Sequence, residues 1–259
     1  MKNLLMLPVG LMLVSAGLIA QPAATPPPAA NAPAAPRPAR LPSPQGVDNF
    51  YKLGPDSLRM EGVPRGKFTE GKVIQSQVFP GTQHTYYVYV PAQYDPSKPT
   101  ALMVFCDGQA MMAEPGSVQG HVVLDNLIYR GELPVMLGVF INPGRRPDQP
   151  EPSAAEWGDR TANRKEVYDM PNEKFARVLV EELMPDLKKD FNVSPDPEMH
   201  GVMGTSSGGI AAFGVVWFRP NDFRKAISMT GTFRNIRGGH VFPEFVAASE
   251  KKPIRVFFQ

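Results

Sequence analysis

Two unbroken apolar runs, 101–106 (ALMVFC) and 135–141 (VMLGVFI), constrain this chain more than any other feature. A strand with one face in water alternates polar and apolar residues, whereas a strand of apolar residues alone must be covered on both faces. Helical patterns lie between and after these runs. Residues 122–129 form one, ending at Gly131, and the small-residue stretch 208–217 forms another. A third begins where Asn172 can cap it; Phe175, Val178, Leu179 and Leu183 share one face, and Pro185 kinks or splits it. Short strands are predicted at 199–203, 226–230 and 253–259. Such alternation indicates an α/β protein: a mostly parallel sheet with helices on both faces. Before it, residues 71–79 and 84–90 (HTYYVYV) flank the turn Pro80-Gly81-Thr82 and predict an antiparallel hairpin at a sheet edge.

The first fifty residues differ in kind. Lys2 precedes a largely apolar stretch, 4–20, and small residues at Ala16, Gly17 and Ala20 offer cleavage points, so 1–20 reads as a secretory signal peptide. Positions 21–45 hold nine prolines and eight alanines, with little to bury, and 21–46 reads as an extended linker. The folded domain is therefore expected over 47–259, in a secreted or periplasmic protein with no stable membrane span once the signal is removed. Composition then excludes several classes. A net charge of +2 with no basic cluster gives no support to nucleic-acid binding, and a single cysteine, Cys106, leaves no disulfide framework and no cysteine-based zinc site. No metal-ligand spacing or phosphate-loop pattern stands out, and no cofactor is expected.

The chemistry concentrates at Gly204-Thr205-Ser206-Ser207-Gly208, which fits G-x-S-x-G directly after a predicted strand and before a predicted helix. Glycines permit a strained strand-to-helix turn that exposes the Ser206 hydroxyl, and centring on Ser207 would need glycine where Thr205 stands. The Ser207 N–H then faces a developing oxyanion at the helix N-terminus. A second donor is expected from the loop after an earlier strand, where Asp107-Gly108-Gln109 sits, from the N–H of Gly108 or of Gln109.

These motifs come with wider similarity. The segment PGTQHTYYVYVPAQYDPSKPTALMVFCDG resembles the opening of the bacterial putative-esterase family, which contains enterochelin esterase and feruloyl esterase domains. DNLIYRGELPVMLGVFINPG, GTSSGG, FRKAISMTGTFRNIRGGHVFPEF and KKPIRVFFQ extend the resemblance over 71–259. It implies an α/β-hydrolase fold, carboxylic-ester hydrolysis and Ser206 as nucleophile. It also implies that Arg164 and His240 lie near the substrate pocket. One departure is local: the family's Asn-Arg-Ser-x-Glu-Tyr stretch appears here as Asn163-Arg164-Lys165-Glu166-Val167-Tyr168, without Glu beside the tyrosine.

A serine hydroxyl needs a base to take its proton. After Ser206 the sequence holds one histidine, His240, well before the last predicted strand, and His84, His121 and His200 precede the serine. The resemblance implies that the acid and the histidine of the triad follow the VFFQ strand, beyond Gln259. The chain is thus expected to be the N-terminal part of a longer esterase, with the last strand and helix of the fold outside it and weak or no activity of its own. The substrate expected is a small-molecule or polysaccharide-linked ester. Two alternatives stand beside this reading: an acyltransferase on the same scaffold, and a non-catalytic exported binding module.

Overall fold

The computed structural model describes residues 52–152, 163–234 and 238–259. The signal-peptide and linker assignments fall outside these residues, as does the start of the domain at 47.

Among the described residues eight strands form one sheet: β1 (Lys67–Phe68), β2 (Lys72–Gln75), β3 (Gln83–Val90), β4 (Ala101–Cys106), β5 (Met136–Ile141), β6 (His200–Thr205), β7 (Lys225–Met229) and β8 (Arg255–Phe258). Their order is β1-β3-β5-β4-β6-β7-β8, and β2 pairs with β3 beside β1. The hairpin end is antiparallel, with β1, β2 and β5 all antiparallel to β3, while β5, β4, β6, β7 and β8 run parallel. This is the mostly parallel sheet of an α/β-hydrolase-type fold. The hairpin is real, although its first strand is four residues rather than nine.

Period-two alternation within the two apolar runs divides the core. Leu102, Val104 and Cys106 of β4 and Leu137, Val139 and Ile141 of β5 face one side; Ala101 and Phe105 with Met136 and Phe140 face the other. On that second side lie α1 (Gly108–Met112) and α2 (Gly120–Tyr129), through Met111, Leu124 and Ile128. The first side is covered by α3 (Lys174–Arg177), α4 (Met184–Leu187) and α5 (Ser207–Phe218). Between α3 and α4 the helix continues through a π-helical stretch, Val178–Leu183. Pro185, which has no N–H to donate, sits in the first turn of α4, so the helix is rewound there and not broken. Phe175, Val178, Leu179 and Leu183 are all buried as expected, and Asn172 Oδ1 accepts from the Lys174 N–H (2.9 Å).

Two short helices were not anticipated: α1, and α6 (Phe242–Ala248). The long polar connection holds a π-helical turn at Lys165–Asp169, whose Val167 and Tyr168 are buried in the main core.

The strand order fixes where a site can form. From β4 the chain passes to β5 on one side, then returns to β6 on the other, so β4 and β6 flank a topological switch point. In open α/β sheets, ligands bind at the carboxyl ends of strands around such a point.

Candidate active site

Ser206 stands at that point, between the end of β6 and α5. Its backbone has φ 56° and ψ −116°, a conformation that costs a non-glycine residue on the order of 1–3 kcal/mol. The turn is fixed on both sides: Ser206 N–H donates to the Met229 carbonyl of β7 (2.9 Å), and the Ser206 carbonyl accepts from Ile210 N–H (3.1 Å). Gly204 is required by close approach, because a Cβ there would lie 2.2 Å from the Gly208 oxygen. Ser207 is buried as the first residue of α5, where helix geometry leaves its N–H without an intrahelical acceptor. Ser228 Oγ, wholly buried on β7, donates to the Gly209 carbonyl (2.9 Å) and ties the first turn of the helix to the sheet.

Asp107-Gly108-Gln109 lies at the end of the adjacent strand. Asp107 takes a left-handed conformation (φ 57°, ψ 50°) and leads into α1. Gly108 rests on β5, with a Cβ position only 2.3 Å from the Phe140 carbonyl carbon. The Gln109 N–H donates to Asn142 Oδ1 (3.2 Å), whereas the Asn142 Nδ2 is buried without a partner. Of the two candidate donors in this loop, Gln109 therefore already has an acceptor.

The Asp107 carboxylate is 2% exposed and receives two hydrogen bonds from Arg164, Nε to Oδ1 (3.1 Å) and Nη2 to Oδ2 (2.7 Å). Arg164 Nη2 also reaches the carbonyl of Thr205 (3.5 Å), the residue before Ser206. Asp107 N–H donates to the Tyr168 hydroxyl (3.2 Å), and Cys106, the residue before it, is fully buried. Burial pushes the thiol of Cys106 well up, with the Asp107 charge adding to the effect, so it is held protonated. Asp107, Tyr168 and Asn142 were not singled out from sequence. The available signal was a carboxylate placed immediately after a buried apolar strand, which must find a partner.

The histidines are dispersed. His240 is exposed in the turn Gly239–Val241 ahead of α6. His200 is buried at the amino end of β6, with its ring nitrogens 2.7 Å from the Asp222 carbonyl and 2.8 Å from that of Ser194. His121 packs edge-on to Phe68 and Tyr89, and burial lowers its pKa. His84 is wholly buried on β3; its Nδ1 meets the Asn142 carbonyl (3.2 Å), and burial lowers its pKa to about 4. Among the described residues no histidine hydrogen-bonds to Ser206, and no group of three or more His, Cys, Asp or Glu is placed to hold a metal ion. No helix among them is long and apolar enough to cross a membrane.

Comparison with known proteins adds a family and a fold. The family model described as Esterase, Putative esterase, matches residues 76–242, more than half of the chain. No curated protein matches. Among solved structures, the enterochelin esterase of Shigella flexneri aligns with a TM-score of 0.57 at 21% identity, over 76% of this chain and 45% of its own. The ferric enterobactin esterase of Salmonella typhimurium aligns with a TM-score of 0.57 at 19% identity, over 75% of this chain and 46% of its own. The feruloyl esterase module of Clostridium thermocellum, solved with sinapinate, gives 0.51 at 15% identity, over 86% and 74%. At these identities the likeness is one of fold. The chain spans less than half the length of the enterochelin esterases it matches.

Proposed function

The chain belongs to the Putative esterase family, and from that premise we propose that it is an exported serine carboxylic-ester hydrolase with Ser206 as its nucleophile. The observation that carries this reading is the strained, positive-φ Ser206 at the switch point, between the free first-turn amides of α5 and the Asp107-Gly108 loop. In the first step Ser206 Oγ attacks the ester carbonyl carbon and gives up its proton to a base. The carbonyl oxygen becomes an oxyanion, held by the Ser207 N–H and by the N–H of Gly108 or, if it turns from Asn142, of Gln109. Collapse of this intermediate expels the alcohol, which takes a proton, and leaves an acyl-serine. Water then attacks the acyl group, and the acid is released with the serine restored.

The proton goes to a general base, a histidine in the serine triads of this reaction class. Without it the remaining donors still supply catalysis: in subtilisin, loss of the histidine costs about 10⁶ in turnover and leaves roughly 10³–10⁴ over water. His240 and Arg164 are assigned to the surroundings of the substrate. The substrate class is a small carboxylic ester, with siderophore, hydroxycinnamoyl and acetyl esters as members to be compared. Export rests on the apolar segment 4–20.

The test is product analysis with 4-nitrophenyl acetate and methyl ferulate, with and without an added alcohol acceptor. Slow release of free acid that disappears in Ser206→Ala is expected. Acid release equal in the two proteins would overturn the assignment, and transfer of the acyl group to the alcohol would make the protein an acyltransferase.

A further inference from the structure

We infer that Asp107, Arg164 and Tyr168 form a positioning clamp that holds the loop carrying one oxyanion donor against the turn carrying the other. This rests on the reading of Ser206 as nucleophile and goes beyond it. None of the three side chains is assigned contact with the reacting atoms.

The argument begins with a problem of rigidity. An oxyanion hole works when its donors are fixed before charge develops, and displacement of a positioned group by about 1 Å can cost on the order of 10²-fold in rate. Here the two donors lie on different elements, the start of α5 and the start of α1, and parallel strands alone do not fix how two loops sit above them. Asp107 connects the loops. Its left-handed backbone directs the chain into α1, and its N–H is taken by the Tyr168 hydroxyl (3.2 Å), which anchors that conformation to the core. Its carboxylate is held in two-point fashion by Arg164, at 3.1 and 2.7 Å. Across the gap, the Arg164 guanidinium reaches the Thr205 carbonyl just before Ser206 (3.5 Å), and a Cβ on Gly208 would lie 3.1 Å from Asp107 Oδ2. Arg164 also lies over the Tyr168 ring, 5.7 Å from its centroid. The guanidinium thus spans the residue before one donor loop and the residue before the serine.

The chemistry of arginine is specific here. Its planar fork matches a carboxylate at two points while a further N–H reaches the carbonyl, which an ammonium group cannot reproduce. Arg164→Lys would keep the buried charge pair, and with it much of the stability, but release the geometry. A merely structural pair would lose stability and donor geometry together.

The test uses the full 259-residue protein and phenylboronic acid, which bonds to a nucleophilic serine oxygen and presents a tetrahedral oxyanion-like group. Affinity and melting temperature are measured for the parent protein, Ser206→Ala, Arg164→Lys and Asp107→Asn. Boronate binding that requires Ser206 is expected, with Arg164→Lys weakening it about tenfold or more while melting within a few degrees of the parent. Parent-like affinity in Arg164→Lys overturns the clamp and leaves the nucleophile standing. Binding that is unchanged in Ser206→Ala, or absent in the parent, overturns the nucleophile and the clamp with it. Amide hydrogen exchange in Arg164→Lys supplies a second reading: faster exchange confined to Gly108, Gln109 and Ser207 is expected. Unchanged exchange there contradicts the clamp.

Discussion

At the scale of single residues, the account turns on the backbone of Ser206. Its positive φ is unfavourable for any residue with a Cβ and free for glycine. Ser206→Gly is therefore expected to stabilise the fold by about 0.5–2 kcal/mol in chemical denaturation, the strain relieved less the added freedom of glycine in the unfolded chain, while losing all serine chemistry. A destabilised Ser206→Gly would mean that the turn is not strained. The neighbouring glycine behaves oppositely. A Cβ at position 204 would meet backbone atoms of Gly208, which cannot swing aside. Gly204→Ala is expected to cost about 3 kcal/mol or more, at or beyond the upper end for overpacking, and an unfolding curve near that of the parent would contradict the tight crossing. Both residues were legible in the sequence, because the turn's constraints fall within five consecutive positions. The pairing of Asp107 with Arg164 was not, since 57 positions separate them and only the fold brings them together.

At the scale of elements, the β3–β5 pair carries a pH-dependent contribution. Burial holds His84 largely neutral, with a pKa of about 4 against an ordinary value of 6.5, and its Nδ1 meets the Asn142 carbonyl at the end of β5. Between those two values the unfolded chain binds the proton more readily than the folded one, so stability is present above pH 6.5 and falls as pH drops toward 4. The whole effect is on the order of 3 kcal/mol. Melting followed across this window is expected to show a shallower slope in His84→Asn than in the parent protein; parallel curves would contradict it. The run HTYYVYV predicts the hairpin strand, but its pattern does not show that His84 is buried, which follows from packing against the end of β5. Length explains the other omissions. The five-residue α1 and seven-residue α6 are too short to display a helical period, whereas the ten-residue α2 and twelve-residue α5 were found.

For the whole molecule, apolar runs and helical periods gave the fold class, but strand order depends on long-range pairing that no local pattern encodes. The placement of β6 beside β4 is what creates the switch point, and with it the approach of Gly208 to Asp107 and the reach of Arg164 from Asp107 to the Thr205 carbonyl. The sheet's outer strand also sets a solution property. Among the described residues β8 is the outermost strand, with Phe257 60% and Phe258 55% exposed, and an exposed apolar edge promotes association. Phe257→Lys is expected to reduce light scattering of the 259-residue protein with little change in melting temperature. Equal scattering would show that the edge does not drive association. The claim on which the rest depends is that the β6–α5 turn makes Ser206 a nucleophile. It is tested most directly by fluorophosphonate labelling with increasing imidazole, followed by peptide mapping. Labelling confined to Ser206, weak in buffer, raised by imidazole and absent from Ser206→Ala, is the expected result. Labelling elsewhere, or none at any imidazole concentration in folded protein, would contradict it.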